Sequence, residues 1–280
     1  MGAQLSTTAA TDDAPARARS KRVKTPTIAI EGTVPYYERH MVIVESQVTA
    51  DHWPKKLELS NHVVAAYSKA IGALEEAQGK ELHVRVTAAH AYPTTITCGA
   101  SSDDETIEPP LPDTHDVLIF PDNVRLHDVA TEQIGELAAK VAATNALTSV
   151  KDALTDLNVQ HSSLKDEMHL LVCAHTKRDF RCGCSGPKML EWLHDLGKEQ
   201  QLPLKLWASS HYGGHRYAGN CVVYPSGDWF GLINSPEQAA AMARAVLDEQ
   251  PLRLAQHWRG RVLTTKEEQI SMLKDAEETR

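Results

Sequence analysis

Cys173 closes the apolar run MHLLVC, Cys182 follows nine residues later in R-D-F-R-C-G-C, and His211 and His215 stand four apart in H-Y-G-G-H-R-Y-A-G-N. Thiolates and imidazoles are donors for zinc and iron, so this set points to metal or redox chemistry. Three chemistries remain open. Tetrahedral zinc accepts two cysteines and two histidines, but finger cysteines are typically about two to four residues apart and finger histidines ride a helix, which Gly213 and Gly214 oppose. The glutamate of the H-E-x-x-H zinc proteases is also missing. A [2Fe–2S] cluster needs four protein ligands, and two imidazoles can replace two thiolates on one iron. The glycines would then permit close backbone approach and positive φ. Cys182-Gly183-Cys184 read as a dithiol pair is the third chemistry, and it leaves the histidines without a task.

These residues need elements that bring them together. MHLLVC reads as a strand, a loop carries Cys182, a helix spans about 187 to 199 with Met189, Leu193 and Leu196 on one face, and LKLWA is the next strand. The carboxyl ends of both strands of a βαβ unit open on one side, so the cysteine and histidine loops can meet there. A hairpin of NCVVY and WFGLI turns at P-S-G-D, and Ser235-Pro236-Glu237-Gln238 starts a helix running to about Glu249. The order β-α-β-loop-β-β-α is thioredoxin-like. The first half offers a similar order: MVIVE, a helix over about 60 to 77, ELHVRVTA, TTITC, DVLIF and a helix over about 130 to 144. A degenerate internal duplication would explain the likeness.

The expected organisation is a disordered tail over 1–35, an α/β domain without cluster ligands over 36–150, a polar connection to about 165, a thioredoxin-like domain over 165–250 and a helical tail over 251–280. In that tail Thr265 and Glu268 form a capping-box pattern, which predicts a solvated, charged helix. The segment 101–116 is an acidic, proline-containing loop, Cys98 is the first half's only cysteine, and Asp51, His52 and Trp53 matter only if the fold carries them beside the second half. Net charge is −8, which opposes nucleic-acid or acidic-lipid binding. No apolar run approaches the roughly 18 residues of a transmembrane helix, and the odd cysteine count in a chain without a signal-peptide core argues against a disulfide framework. Cytoplasm is the expected compartment, with the mitochondrial matrix as the alternative because the tail is rich in Arg, Ser and Ala; Asp12 and Asp13 oppose a presequence. The opening M-G-A-Q-L-S also fits the myristoylation pattern at Gly2.

C-x8-C with R-D-x-R-C-G, then H-x-G-G-H-x-x-A-G-N and a late W-R-G-R ahead of T-K-E-E-Q, resembles the sucrase/ferredoxin-like family. The motif-bearing part covers about 168 to 270, and D-H-W-P and L-I-F-P-D in the first half match the family's layout. The resemblance implies a thioredoxin-like ferredoxin with a bis-histidinyl, non-Rieske [2Fe–2S] cluster, Cys173 and Cys182 on one iron and His211 and His215 on the other. It implies an electron carrier or redox sensor served by a redox partner protein, more than a catalyst with its own substrate. Neutral imidazoles raise a cluster's potential and keep a second ring nitrogen for a proton, so one-electron transfer should depend on pH. The alternative is a zinc-stabilised interaction module. Cys184 lies two residues from Cys182 and could substitute for it, Cys221 is expected to be a small buried side chain, His175 to support the site or face solvent, and Arg178 to pair with Asp179.

Overall fold

The computed structural model describes residues 29–97, 110–144 and 149–278. Gly2, Cys98 and most of the expected terminal tail and acidic loop lie outside them. In chain order the elements are β1 (Arg39–Val44), α1 (Val63–Gln78), β2 (Val84–Ala91), β3 (Thr114–Phe120), β4 (Val124–Ala130), α2 (Ile134–Ala143), α3 (Val150–Leu154) and β5 (His161–Ser163). There follow β6 (Met168–Cys173), α4 (Phe180–Gln200), β7 (Leu204–Ser209), β8 (Cys221–Tyr224), β9 (Asp228–Phe230), α5 (Pro236–Leu247), β10 (Trp258–Arg261) and α6 (Lys266–Glu278). The fold is mixed α/β and consistent with a thioredoxin-like architecture.

All strands join one sheet in the order β10-β9-β8-β6-β7-β2-β1-β3-β4-β5. Each half repeats one pattern. β1 runs parallel to β2 and antiparallel to β3, and β6 runs parallel to β7 and antiparallel to β8. The registers also agree, with His40 opposite Arg85 in one half and His169 opposite Lys205 in the other. His40 bonds Thr87 and packs on Tyr224, whereas His169 accepts from Trp207 and packs on Phe120. The likeness of the two halves thus extends from element order to individual side-chain positions.

The halves join through β2 and β7, which pair antiparallel over only Ala89–Ala91 and Trp207–Ser209. Past this short seam the two strand units face each other: Phe120 and Tyr224 stack with centroids 4.0 Å apart, and Tyr37 meets Trp229 edge-on. Side chains alternate along a strand. Leu170 and Val172 of β6 therefore enter the helix-covered core with Met189 and Leu193 of α4, while Leu171 and Cys173 enter the layer between the halves. The cysteine thus stands at the end of the buried layer between the two halves.

Several elements differ from the sequence reading. α4 begins at Phe180, not near 187, because Asp179 caps it by accepting from the Arg181 N–H at 3.0 Å. Cys182 therefore sits in a helix's first turn and not in a loop. The described part of TTITC is not a strand, and the Thr97 N–H donates to Asp51 Oδ2 where a strand would meet a neighbour. β4 escaped the reading because a register shift between His115 and Val117 and a positive φ at Asp128 break its alternation. The polar connection holds α3 and the edge strand β5. Within 251–280, expected as a helical tail, Trp258–Arg261 pairs with β9, and α6 is anchored by buried Gln269 and Leu273. Gln269 bonds Val34 and the Thr264 carbonyl, so α6 is docked through side-chain amide chemistry.

Candidate metal centre

Cys173 ends β6 and Cys182 opens α4, and both are buried. The close approach of α4 depends on two glycines. A Cβ on Gly183 would come within 2.6 Å of Thr176, and one on Gly186 would collide with the Cys173 carbonyl oxygen. His211 leaves the end of β7, so the parallel β6–β7 pair delivers both loops to the same edge. Cys173 Sγ lies 3.9 Å from His211 Nδ1. The ligand atoms of Cys173, Cys182 and His211 all fall within 4.8 Å of one another, and among the described residues this is the group able to hold a metal ion. His215 stands apart from that trio, exposed at the start of a short 3-10 turn, with its ring centroid 5.7 Å from that of His211. Cys184 is not in the trio, and Cys221 is a buried thiol on β8 that donates to the Val222 carbonyl at 3.6 Å.

The donor set fits a cation. The hydrogen bond that the Cys182 thiol donates to Cys173 pushes it far up, and burial and the charge of Cys173 beside it add to the rise. Two adjacent buried thiols cannot both ionise unless a positive charge replaces their protons, which a bound metal supplies. Cys182 also lies in the first turn of α4, where the helix dipole favours an anion.

Supporting groups hold Cys173 and the histidine loop in place. Tyr212 is buried, and its hydroxyl accepts from the Cys173 N–H at 3.2 Å while lying 2.8 Å from the Asn220 carbonyl. Asn220 Nδ2 donates to the carbonyls of Gly213 and Gly214, and its Oδ1 accepts from Arg259 Nη1 at 2.7 Å. Arg259 stacks on Tyr217 and Trp229, bonds Thr33, and is pulled down to about 10 by burial, so it stays charged at neutral pH. A side chain on Gly214, whose φ is +75°, would strike that guanidinium. Gly214 therefore answers to Arg259 and to the left-handed turn together, whereas Gly213, with φ +113° and nothing within 4 Å of an added Cβ, answers to backbone conformation alone. Sequence reasoning missed the roles of Tyr212, Asn220 and Arg259; the only signal was the spelling of the A-G-N and W-R-G-R motifs.

His175 is not in the trio and stands behind it. Nε2 lies 3.0 Å from the Pro54 carbonyl and Nδ1 accepts from the His211 N–H at 3.4 Å, so both nitrogens are in use. Burial lowers it to about 3, which keeps it neutral. Its ring meets Trp53 edge-on at 5.6 Å, so the D-H-W-P loop of the first half does reach the site. The expected Arg178–Asp179 pair does not form. Asp179 takes both Arg181 Nε and Nη2 at 2.9 Å, and Arg178 turns to Glu58 and the Lys55 carbonyl, each at 3.3 Å. A capping carboxylate is held over its own helix, so the nearer guanidinium claims it.

A sucrase/ferredoxin-like family model matches residues 30–260. The protein called "Altered inheritance of mitochondria protein 32" of Debaryomyces hansenii is 24% identical over 229 residues, covering 76% of this chain and 78% of that protein. Its namesake in Meyerozyma guilliermondii is 23% identical over 73% of this chain and 74% of its own length. A third, from Candida glabrata, is 37% identical over 91 residues, covering 31% of this chain and 28% of its own. No solved structure gives a significant match. The family match spans most of the chain, and the chain belongs to the sucrase/ferredoxin-like family.

Proposed function

We propose that this member of the sucrase/ferredoxin-like family is a one-electron carrier or redox sensor that holds a [2Fe–2S] cluster through Cys173, Cys182, His211 and His215. The observation that carries the reading is the convergence of two buried thiols with a ring nitrogen of His211 inside 4.8 Å, beside a glycine-built loop that carries a second imidazole. A bound cluster of this kind supplies one-electron transfer, in the range of roughly −150 to +300 mV where two histidines replace two cysteines, against about −400 mV for plant-type ferredoxins. The chain's own residues set the conditions. Cys173 and Cys182, closed in by Tyr212 and Trp229, keep water from the sulfur side. His211 turns Nδ1 to the thiols, and with Nδ1 as the ligand atom its Nε2 would hold the proton; a cavity of about 150 Å³ lined by Lys55, Glu58 and Arg178 adjoins the ring. The exposed ring of His215 can exchange a proton with solvent. With a cluster bound, both imidazoles would couple proton movement to electron movement.

Zinc is the second reading, favoured by a donor trio compact enough for a single ion with His215 as the fourth ligand. Visible absorption with iron, zinc and acid-labile sulfide assays separates the two. A red-brown protein with about two irons and two sulfides per chain supports the cluster. A colourless protein, purified anaerobically, with one zinc and no sulfide would refute it. His211→Cys and His215→Cys should lower the potential and flatten its pH dependence. The relatives' printed name concerns mitochondrial inheritance, and on that footing we place the chain's work at mitochondria, to be tested by fractionation. No helix of the described residues is long and apolar enough to cross a membrane.

A further inference from the structure

Leu59 and Phe180 are 74% and 65% exposed, the two most exposed large apolar side chains among the described residues. Both border the site. Phe180 is the first residue of α4, two positions before Cys182, and Leu59 lies on the 3-10 turn Leu57–Leu59, which Arg178 ties to the ligand loop through Glu58 and the Lys55 carbonyl. Apolar side chains left in water at the mouth of a buried reactive group mark a contact surface. The rim's charge opposes that of the whole chain. Arg178–Glu58 and Arg181–Asp179 are paired, while Lys55, Lys56 and, next to His215, Arg216 are exposed and positive. A chain of net charge −8 thus shows a positive rim around its Cys–His edge. Local potentials of this sort steer a partner of opposite sign and set its orientation.

We propose that Leu59, Phe180, Lys55, Lys56 and Arg216 form the docking face for a one-electron redox protein that presents an acidic surface with an apolar centre. The inference rests on the electron-transfer reading of the site and names its partner. One electron crosses the interface and no group is transferred between the partners, so the partner must bring its own one-electron group to the edge where His215 reaches solvent. Phe180 and Leu59 supply the dry contact and the cations supply register.

The test is binding of full-length protein to two probes, an acidic plant-type ferredoxin and the basic cytochrome c, by titration calorimetry at low salt and at roughly 0.2 M salt, where the Debye length is under about 8 Å. The wild type should bind the acidic probe, and more weakly as salt rises. Lys55→Glu/Lys56→Glu should weaken that binding about tenfold or more and flatten its salt dependence. Leu59→Ser/Phe180→Ser should weaken it about fivefold with the salt slope kept. These side chains are exposed, and unchanged melting of each variant verifies the fold. Preference for cytochrome c, no binding of the acidic probe, or indifference to both variants would overturn the proposal. Iron and sulfide measured on the same samples report separately on the cluster, so loss of that reading is distinguishable from loss of this one.

Discussion

Replacing Gly214 with alanine asks whether Arg259 locks the imidazole loop from behind. The position has φ +75°, so a Cβ there carries the left-handed penalty of about 1–2 kcal/mol. That Cβ would also land on the Arg259 guanidinium, which has nowhere to retreat: it lies 4.6 Å from the Tyr217 ring centroid, 5.1 Å from that of Trp229, and is bonded to Thr33 and Asn220. Breaking the charged bond to Asn220 adds about 1.5–3 kcal/mol. The total is therefore about 2.5–5 kcal/mol. Gly79 is the control, with φ +65° and nothing within 4 Å of an added Cβ, so Gly79→Ala carries the left-handed cost alone. Gly214→Ala should lower stability by about 2 kcal/mol more than Gly79→Ala, read by thermal denaturation in which each kcal/mol moves the midpoint by about 2–4 °C. In an Arg259→Lys background the excess should shrink, because lysine lacks the nitrogen fork that collides, and a double-mutant cycle measures that coupling. Equal costs at the two glycines would refute the lock and leave backbone conformation as the whole reason for Gly214.

Stability should also fall in mild acid. Burial lowers both His115 and His169 to about 4, so from roughly pH 6.5 down to 4 the unfolded chain binds protons that the folded chain refuses. This stability is fully present above about 6.5 and is lost as the pH falls through that window, at most about 3 kcal/mol per histidine. His169→Gln, which keeps an acceptor for Trp207, should remove close to one proton from the slope of unfolding free energy against pH; an unchanged slope would show that His169 titrates normally. Tyr212→Phe removes the hydroxyl between Cys173 and Asn220 and should cost about 1–3 kcal/mol with reduced metal content per chain; wild-type stability and loading would show that the hydroxyl is dispensable. Cys184→Ser should keep wild-type metal stoichiometry while Cys182→Ser loses it, and the opposite result would move the ligand by two residues.

Some of the structure could be read along the chain because its cause is local. The run MHLLVC gives β6 at its observed ends, since an apolar run of strand length is set by nearest-neighbour geometry. Ser235 caps α5 as its spelling predicts, and Thr265 and Glu268 bond reciprocally at the start of α6. The start of α4 could not be read in this way. Two glycines and Pro187 oppose a helix by propensity, yet packing on Thr176 and the Cys173 carbonyl outweighs that and uses the missing Cβ atoms.

The sequence by itself determined the donor types, their spacing, the βαβ frame that points Cys173 and His211 to one edge, and the likeness of the two halves. Only the tertiary structure decided that Arg259, far along the chain on β10, is the counterpart of the Gly-Gly turn, that Trp53 and Pro54 from the first half occupy His175, and that Asp179 serves Arg181 and not Arg178. The reason is the range over which each choice is made. Backbone propensity, capping and strand periodicity act over a few residues and are spelled in order, whereas the partner of a buried polar group is whichever chemistry the folded chain brings within about 3 Å.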